Sequence, residues 1–122
     1  MKFLLMLHNN PVALDALDDA GRKALEDGHN QFIKATQESG ELVVTQALSD
    51  PSTSAVVRVR NGRPAVTDGP YLESKEFLGG FYMIDVPDRE RALELAARIP
   101  DASIDGMGVE VRQVMFEAGL DL

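Results

Sequence analysis

The chain has 122 residues, and its 12 Lys and Arg against 20 Asp and Glu give a formal net charge of −8 at pH 7. This length fits one domain, and a hydrophobic content of 44% supports a folded core rather than a disordered chain. The acidic balance disfavours nucleic acid as a partner, because a phosphate backbone repels a negatively charged protein. Cysteine is absent, which excludes disulfides, thiolate zinc sites and a cysteine nucleophile.

The first apolar run, residues 3–7, predicts a short strand that is buried on both faces. It is too short for a membrane span or a secretory signal, so we expect no membrane association and a cytoplasmic location. Residues from about 13 to 39 have a helical pattern, with an interruption near Gly21. Leu25, His29, Phe32 and Thr36 share one face of this helix, which should pack against the sheet.

Leu42–Val44 begins a second strand, and Asn61-Gly62 is a two-residue turn signal between two further strands, residues 56–60 and 63–67. A strand over Gly80–Val86, a helix capped by Asp88 and a last strand over Val109–Met115 follow. The order β-α-β-hairpin-β-α-β predicts an α+β fold, a ferredoxin-like sandwich with an antiparallel sheet. One domain is expected over residues 1–116, with a short tail over residues 117–122.

The two predicted central strands lack the polar alternation that a sheet needs when one face is in water. Two helices cover only one face of such a sheet, so the second face needs another cover. A second copy of the chain, packed sheet against sheet, is the simplest cover and predicts a homodimer. A loop or tail folded across the same face is the alternative.

His29 is the first candidate for chemistry, because its position on the inner helical stripe places an imidazole near the sheet. The alternative is a core histidine bonded to a backbone carbonyl. His8, after the first strand, either lines a pocket or lies in a surface turn. Two histidines without ligand spacing do not make a metal site, so we expect no metal and no cofactor.

The segment Asp68–Tyr82 combines a turn with a cluster of charged and aromatic residues. The functional interpretation is that these groups converge on a small polar ligand, together with an arginine of the hairpin. The alternative is a set of solvated charges around a tight connection into a buried strand. The candidate binding residues are Tyr71, Glu73, Lys75, Tyr82 and Arg58.

The run from Asp68 to Tyr82 resembles the signature of the DGPF proteins, a branch of the YCII-related family. That signature reads D-G-P-F, a small residue, E-x-K-E and then L-G-G-F, and this chain departs from it at Tyr71, where Phe is usual. The resemblance extends over nearly the whole chain, because the flanking segments also match: Val57–Gly62, Asp85–Asp88 and Val109–Met115.

The resemblance implies a dimeric α+β barrel and no established reaction. It also implies a paired His and Asp in a cleft, for which His29 and Asp68 are the matching residues here and the catalytic candidates. Proteins of this branch resemble accessory proteins of extracytoplasmic-function sigma factors. Two functions therefore stand: a cofactor-free enzyme with a His/Asp acid–base pair, and a ligand-sensing or regulatory protein that acts with a sigma factor.

Overall fold

A computed structural model describes residues 1–71 and 75–120 of the chain. A four-stranded antiparallel sheet carries two longer helices on one face, and a separate two-stranded hairpin projects from it. The strands are β1 Lys2–Asn9, β2 Leu42–Ala47, β3 Ala55–Arg60, β4 Arg63–Asp68, β5 Phe77–Asp85 and β6 Gly108–Gln113. The helices are α1 Pro11–Asp15, α2 Asp19–Ser39 and α3 Arg89–Arg98.

The order of strands in the main sheet is β2-β5-β1-β6, so β1 and β5 occupy its centre as the sequence predicted. All of its neighbouring pairs are antiparallel. This arrangement confirms the predicted ferredoxin-like α+β fold. The core lies between the sheet and the helices, because alternate residues of β1 and β5 meet the inner stripes of α2 and α3. Its fully or nearly fully buried members include Leu5, Tyr82, Ile84, Leu95 and Ile99.

The helix ends follow local sequence signals. The side chain of Asp18 accepts a hydrogen bond from the Gly21 backbone and caps α2, while Gly40 ends the helix in a left-handed conformation with φ of 79°. The predicted break near Gly21 lies earlier, between Asp15 and Asp19, and Gly21 is inside the first turn of α2. Asp88 caps α3 as predicted, through a bond from Arg91 N.

The hairpin of β3 and β4, residues 55–68, forms a sheet of its own, which we call the arm. Asn61 and Gly62, both with positive φ, make its turn, as their sequence predicted. Most of the arm is exposed, and the valines Val57, Val59 and Val66 are 62–67% exposed. The arm is therefore not part of the main core.

The second face of the main sheet, which we call the open face, carries the half-buried side chains of Leu4, Met6, Phe81 and Met83. These residues alternate with the core residues of β1 and β5, so they point away from the helices. Homodimer formation through this face stays a prediction.

Candidate active site around His29

His29 lies on the sheet-facing side of α2, where its imidazole contacts two side chains from different elements. Its Nδ1 is 2.6 Å from the hydroxyl oxygen of Tyr82 on β5. Its Nε2 is 2.6 Å from Oδ1 of Asp101. The rings of His29 and Tyr82 are nearly parallel, with an angle of 9° between their planes. About a quarter of the imidazole, 23% of the side-chain surface, stays open to solvent.

Asp101 belongs to the 3₁₀ turn Pro100–Ser103 that follows α3, and only 3% of the residue is exposed. Its second oxygen, Oδ2, accepts a hydrogen bond of 2.7 Å from the amide of Asn9, at the end of β1. Burial raises the pKa of Asp101, but the hydrogen bonds from His29 and Asn9 outweigh it, so the net pKa lies below the ordinary 3.8. Asp101 is therefore a carboxylate at neutral pH, with both oxygens in use.

These charges fix the direction of each hydrogen bond in the neutral imidazole. A carboxylate only accepts, so Nε2 of His29 carries the hydrogen and donates it to Asp101. Burial, and then the negative charge of Asp101, raise the pKa of the Tyr82 phenol to about 12, so this group keeps its proton and can donate to Nδ1. His29 thus presents a basic nitrogen next to a phenol, and Asp101 stabilises the cation that forms when Nδ1 is protonated.

Two glycines leave the room that this arrangement needs. A Cβ on Gly79 would lie 1.8 Å from Oδ1 of Asn9, and a Cβ on Gly28 would lie 2.5 Å from Cγ of Pro100. Gly79 is also the extra residue of a β-bulge, since Leu7 pairs with Gly80 and His8 pairs with Leu78. The absence of two side chains therefore lets the Asn9 amide reach Asp101 and lets the turn that carries Asp101 pack against α2.

The expected pair of His29 and Asp68 is not formed, and Asp101 takes the place of Asp68. Both ring nitrogens of His29 are already bonded to other groups. Asp68 is exposed at the end of β4, where it pairs in register with Ala55. The expected pair placed Asp68 at the connection into a central strand, but Asp68 is the last residue of β4 and so belongs to the separate sheet of the arm.

The structure brings together only some of the predicted binding residues. Tyr82 contacts His29, as described above. Tyr71, which is 69% exposed, instead lies under the guanidinium of Arg58, 5.2 Å from ring centroid to Cζ. Lys75 is exposed, and Glu73 lies outside the described residues.

A cavity of about 850 Å³ lies between the arm, the segment Leu48–Ser54 and the start of β5. We call it the arm cavity. Tyr71 and Glu76 line it, and so does His8, whose Nε2 is 2.9 Å from Oε1 of Glu110. A smaller cavity of about 320 Å³ lies between α2 and α3. His29 lines neither of these two cavities, so its imidazole is reached through its own exposed edge.

Asp101 and Asn9 belong to the site, although neither was a candidate from the sequence. One signal was present: Ile99, the C-cap of α3, is fully buried and lies two residues before Asp101, so the turn Pro100–Ser103 starts against the core. Within residues 1–71 and 75–120, no group of three or more His, Cys, Asp or Glu has the geometry to hold a metal ion.

The chain matches the YCII-related domain over residues 1–117. It belongs to the YCII-related family. It is also similar to the uncharacterized protein R00369 of Rhizobium meliloti (strain 1021), with 36% identity over 75 residues. That alignment covers 62% of this chain and 60% of the relative, so the match spans less than two thirds of the relative's length. Among the described residues of this YCII-related protein, none of the helices has the length and apolar character to cross a membrane.

Proposed function

We propose that this YCII-related protein is a cofactor-free enzyme that transfers a proton to or from a small polar substrate. His29 is the acid–base group, and Asp101 orients the imidazole and stabilises its charged form. The observation that supports this function is the chain of short hydrogen bonds, each 2.6 Å, from the Tyr82 hydroxyl through His29 to Asp101. General acid–base catalysis by such a group typically contributes ~10²–10⁴-fold to a rate.

The reaction class that suits these groups is proton transfer at a carbon next to a carbonyl. A substrate at the exposed imidazole edge would compete with the Tyr82 hydroxyl for Nδ1, and the phenol would then be free to donate to the carbonyl oxygen. Because the pKa of Tyr82 is raised to about 12, the phenol acts as a hydrogen-bond donor rather than as a base.

Deuterium incorporation from D₂O into a panel of small keto acids, aldehydes and hydroxyketones, followed by proton NMR, tests this function without knowledge of the natural substrate. We expect exchange of at least one compound with the wild-type protein, and a loss of about 10²-fold or more in His29→Gln. Asp101→Asn should lose most of the rate as well. His8→Gln is the matched control, because His8 also bonds a carboxylate, that of Glu110.

Two results of this experiment contradict the enzymatic proposal. One is that the wild-type protein exchanges no compound of the panel. The other is an equal loss of exchange rate in His8→Gln and in His29→Gln. The rate would then not depend specifically on the His29 site. Circular dichroism and thermal unfolding of each variant separate a loss of function from a loss of fold.

The second candidate function is a ligand-sensing or regulatory protein, in which a ligand binds without turnover. The arm cavity supports this candidate, because its volume of about 850 Å³ is typical of ligand pockets and many of its lining side chains are apolar. The exposed valines of the arm, Val57, Val59 and Val66, offer a surface for a protein partner such as an extracytoplasmic-function sigma factor. This function would be supported if the protein co-purifies with a sigma factor and Val59→Lys abolishes that co-purification.

We further propose that the protein is a homodimer whose subunits pack through their open faces. Leu4, Met6, Phe81 and Met83 are half-buried apolar side chains on this face, and a second copy would remove them from water. Both candidate functions are compatible with this assembly.

A further inference from the structure

The arm is a ribbon with one apolar face and one basic face. Its register pairs Val57 with Val66 and Val59 with Pro64, and cross-strand pairs of a hairpin share one face. We call this the valine face, and its three valines are 62–67% exposed. Alternate residues of a strand point to opposite faces, so the other face carries the arginines of the arm: Arg58, Arg60 and Arg63.

A hairpin of this composition is poorly stabilised by its own contacts. A two-stranded ribbon is marginally stable in water unless a further strand or a packed face supports it, and within the described residues the sheet of the arm consists of β3 and β4. Arg60 and Arg63 are directly opposite each other, and like charges in that position are destabilising. An exposed apolar face beside concentrated positive charge is expected of a surface that another molecule covers.

The net charge of the arm is opposite in sign to that of the rest of the chain, which we call the body. Three arginines and one aspartate give residues 55–68 a net charge of +2, so the body carries −10 of a total of −8. Two arms therefore repel each other, whereas an arm and the body of a second copy attract each other. This distribution of charge favours a second copy of the chain as the partner, with its body on the arm.

The base of the arm adjoins the open face of the main sheet. His8 alternates with the core residue Leu7 and so points to the open face, and Leu78 shares this face because it pairs with His8 in register. His8 and Leu78 also line the arm cavity, together with Val57 of the valine face. A second copy that covers the open face therefore lies next to the cavity and to the arm, whose six-residue strands extend for about 20 Å.

We propose that the arm of each subunit packs its valine face against the body of the second subunit in the homodimer. The second subunit then adds a wall to the arm cavity. This inference rests on the homodimer proposed above and adds a second contact to it. It is independent of the His29 chemistry, because His29, Tyr82 and Asp101 do not line the cavity.

Photocrosslinking from single cysteines tests the contact, because the chain contains no cysteine of its own. Val59→Cys on the valine face and Ala65→Cys on the arginine face are matched, since both positions are exposed on the arm. Each variant is labelled with benzophenone maleimide, mixed with wild-type protein grown on heavy nitrogen, allowed to exchange subunits and irradiated. Mass spectrometry of the joined peptides shows whether the label has reacted with its own chain or with the heavy partner.

We expect Val59→Cys to crosslink to a peptide from the body of the heavy partner, and Ala65→Cys to give much less of this product. The same two positions predict the strength of the dimer, measured by analytical ultracentrifugation over a dilution series. Val59→Lys should raise the dissociation constant about tenfold or more, because each dimer loses two buried valines. Ala65→Lys adds the same charge to the other face and should change the dissociation constant by no more than about twofold.

The outcomes distinguish the arm contact from the dimer on which it rests. If light scattering shows a monomer, the homodimer and the arm contact both fail. If the protein is a dimer but Val59→Cys reacts only with its own chain, or no more with the partner than Ala65→Cys does, the homodimer stands and the arm contact is refuted. A crosslink between two arms refutes it as well. A Val59→Cys label that reacts with another protein only when a sigma factor is added would assign the valine face to that factor instead.

Discussion

Gly79 is the residue whose substitution tests most directly how the His29 site is held together. Its backbone does not have a positive φ, so alanine fits the local conformation. The added Cβ would nevertheless lie 1.8 Å from Oδ1 and 2.8 Å from Cγ of Asn9. The Asn9 side chain must therefore move by more than 1 Å, roughly the difference from a normal contact of about 3.5 Å, and it then loses its 2.7 Å bond to Asp101.

The expected destabilisation follows from this lost bond. A hydrogen bond to a charged group contributes about 1.5–3 kcal/mol to stability. A change from glycine to alanine that fits the backbone stabilises the fold by about 0.4–1 kcal/mol, because it lowers the conformational entropy of the unfolded chain. Gly79→Ala should therefore lower the free energy of unfolding by about 1–2 kcal/mol in urea denaturation. Gly108→Ala is the control, because no atom lies within 4 Å of its added Cβ, and it should be neutral or slightly stabilising.

A double-mutant cycle with Asn9→Ala decides whether Asn9 is the cause. Without the Asn9 amide the new methyl group meets no side-chain oxygen, so Gly79→Ala should cost nothing further in that background. An unchanged cost of 1–2 kcal/mol in the Asn9→Ala protein would refute the reasoning, because the strain would then lie in the bulge itself.

Two further predictions concern pH and assembly. Glu41 bonds Arg91 at 2.7 and 2.9 Å, which lowers the pKa of Glu41 from 4.5 to about 2. A lowered pKa stabilises the fold above pH 4.5, and this contribution disappears as the pH falls through about 2. We therefore expect Arg91→Gln to lower the free energy of unfolding at pH 7 in urea denaturation, and this loss should shrink between pH 4.5 and 2. A difference that does not change with pH would contradict the assignment. For assembly, light scattering of the wild type should give twice the chain mass of 13.3 kDa. Met83→Glu on the open face should halve the measured mass, whereas Leu93→Glu, at an exposed position of α3, should leave it unchanged. A monomeric wild type would refute the dimer.

The regular parts of the fold were predictable because each depends on local pattern. The continuous apolar runs identified β1 and β5 as central strands, and the Asn61-Gly62 turn and the Asp88 cap were found at the predicted positions. The helical stripe also placed His29 on the correct side of α2. Each of these features depends on residues that are close together in the sequence.

The partner of His29 was not predictable in the same way, because it depends on a distant contact. Asp101 is 72 residues away in sequence, and its burial follows from how the turn after α3 packs against Gly28 through Pro100. The periodic pattern of apolar residues within a helix or strand does not predict a contact between residues so far apart in sequence. The resemblance implied a His/Asp pair, and Asp68 was matched to it as the first residue of the signature. The carboxylate that lies against the imidazole is instead that of Asp101, outside the signature.

The His29 site and the arm cavity share one strand, β5. Leu78 lines the arm cavity, and the next residue, Gly79, makes room for Asn9. Asn9 in turn holds the carboxylate of Asp101. The start of β5 thus forms a wall of the cavity with one residue and supports the His29 site with the next. A change of backbone position at the bulge would act on both places, so substitutions here must be measured in the deuterium-exchange assay and also for ligand binding in the arm cavity.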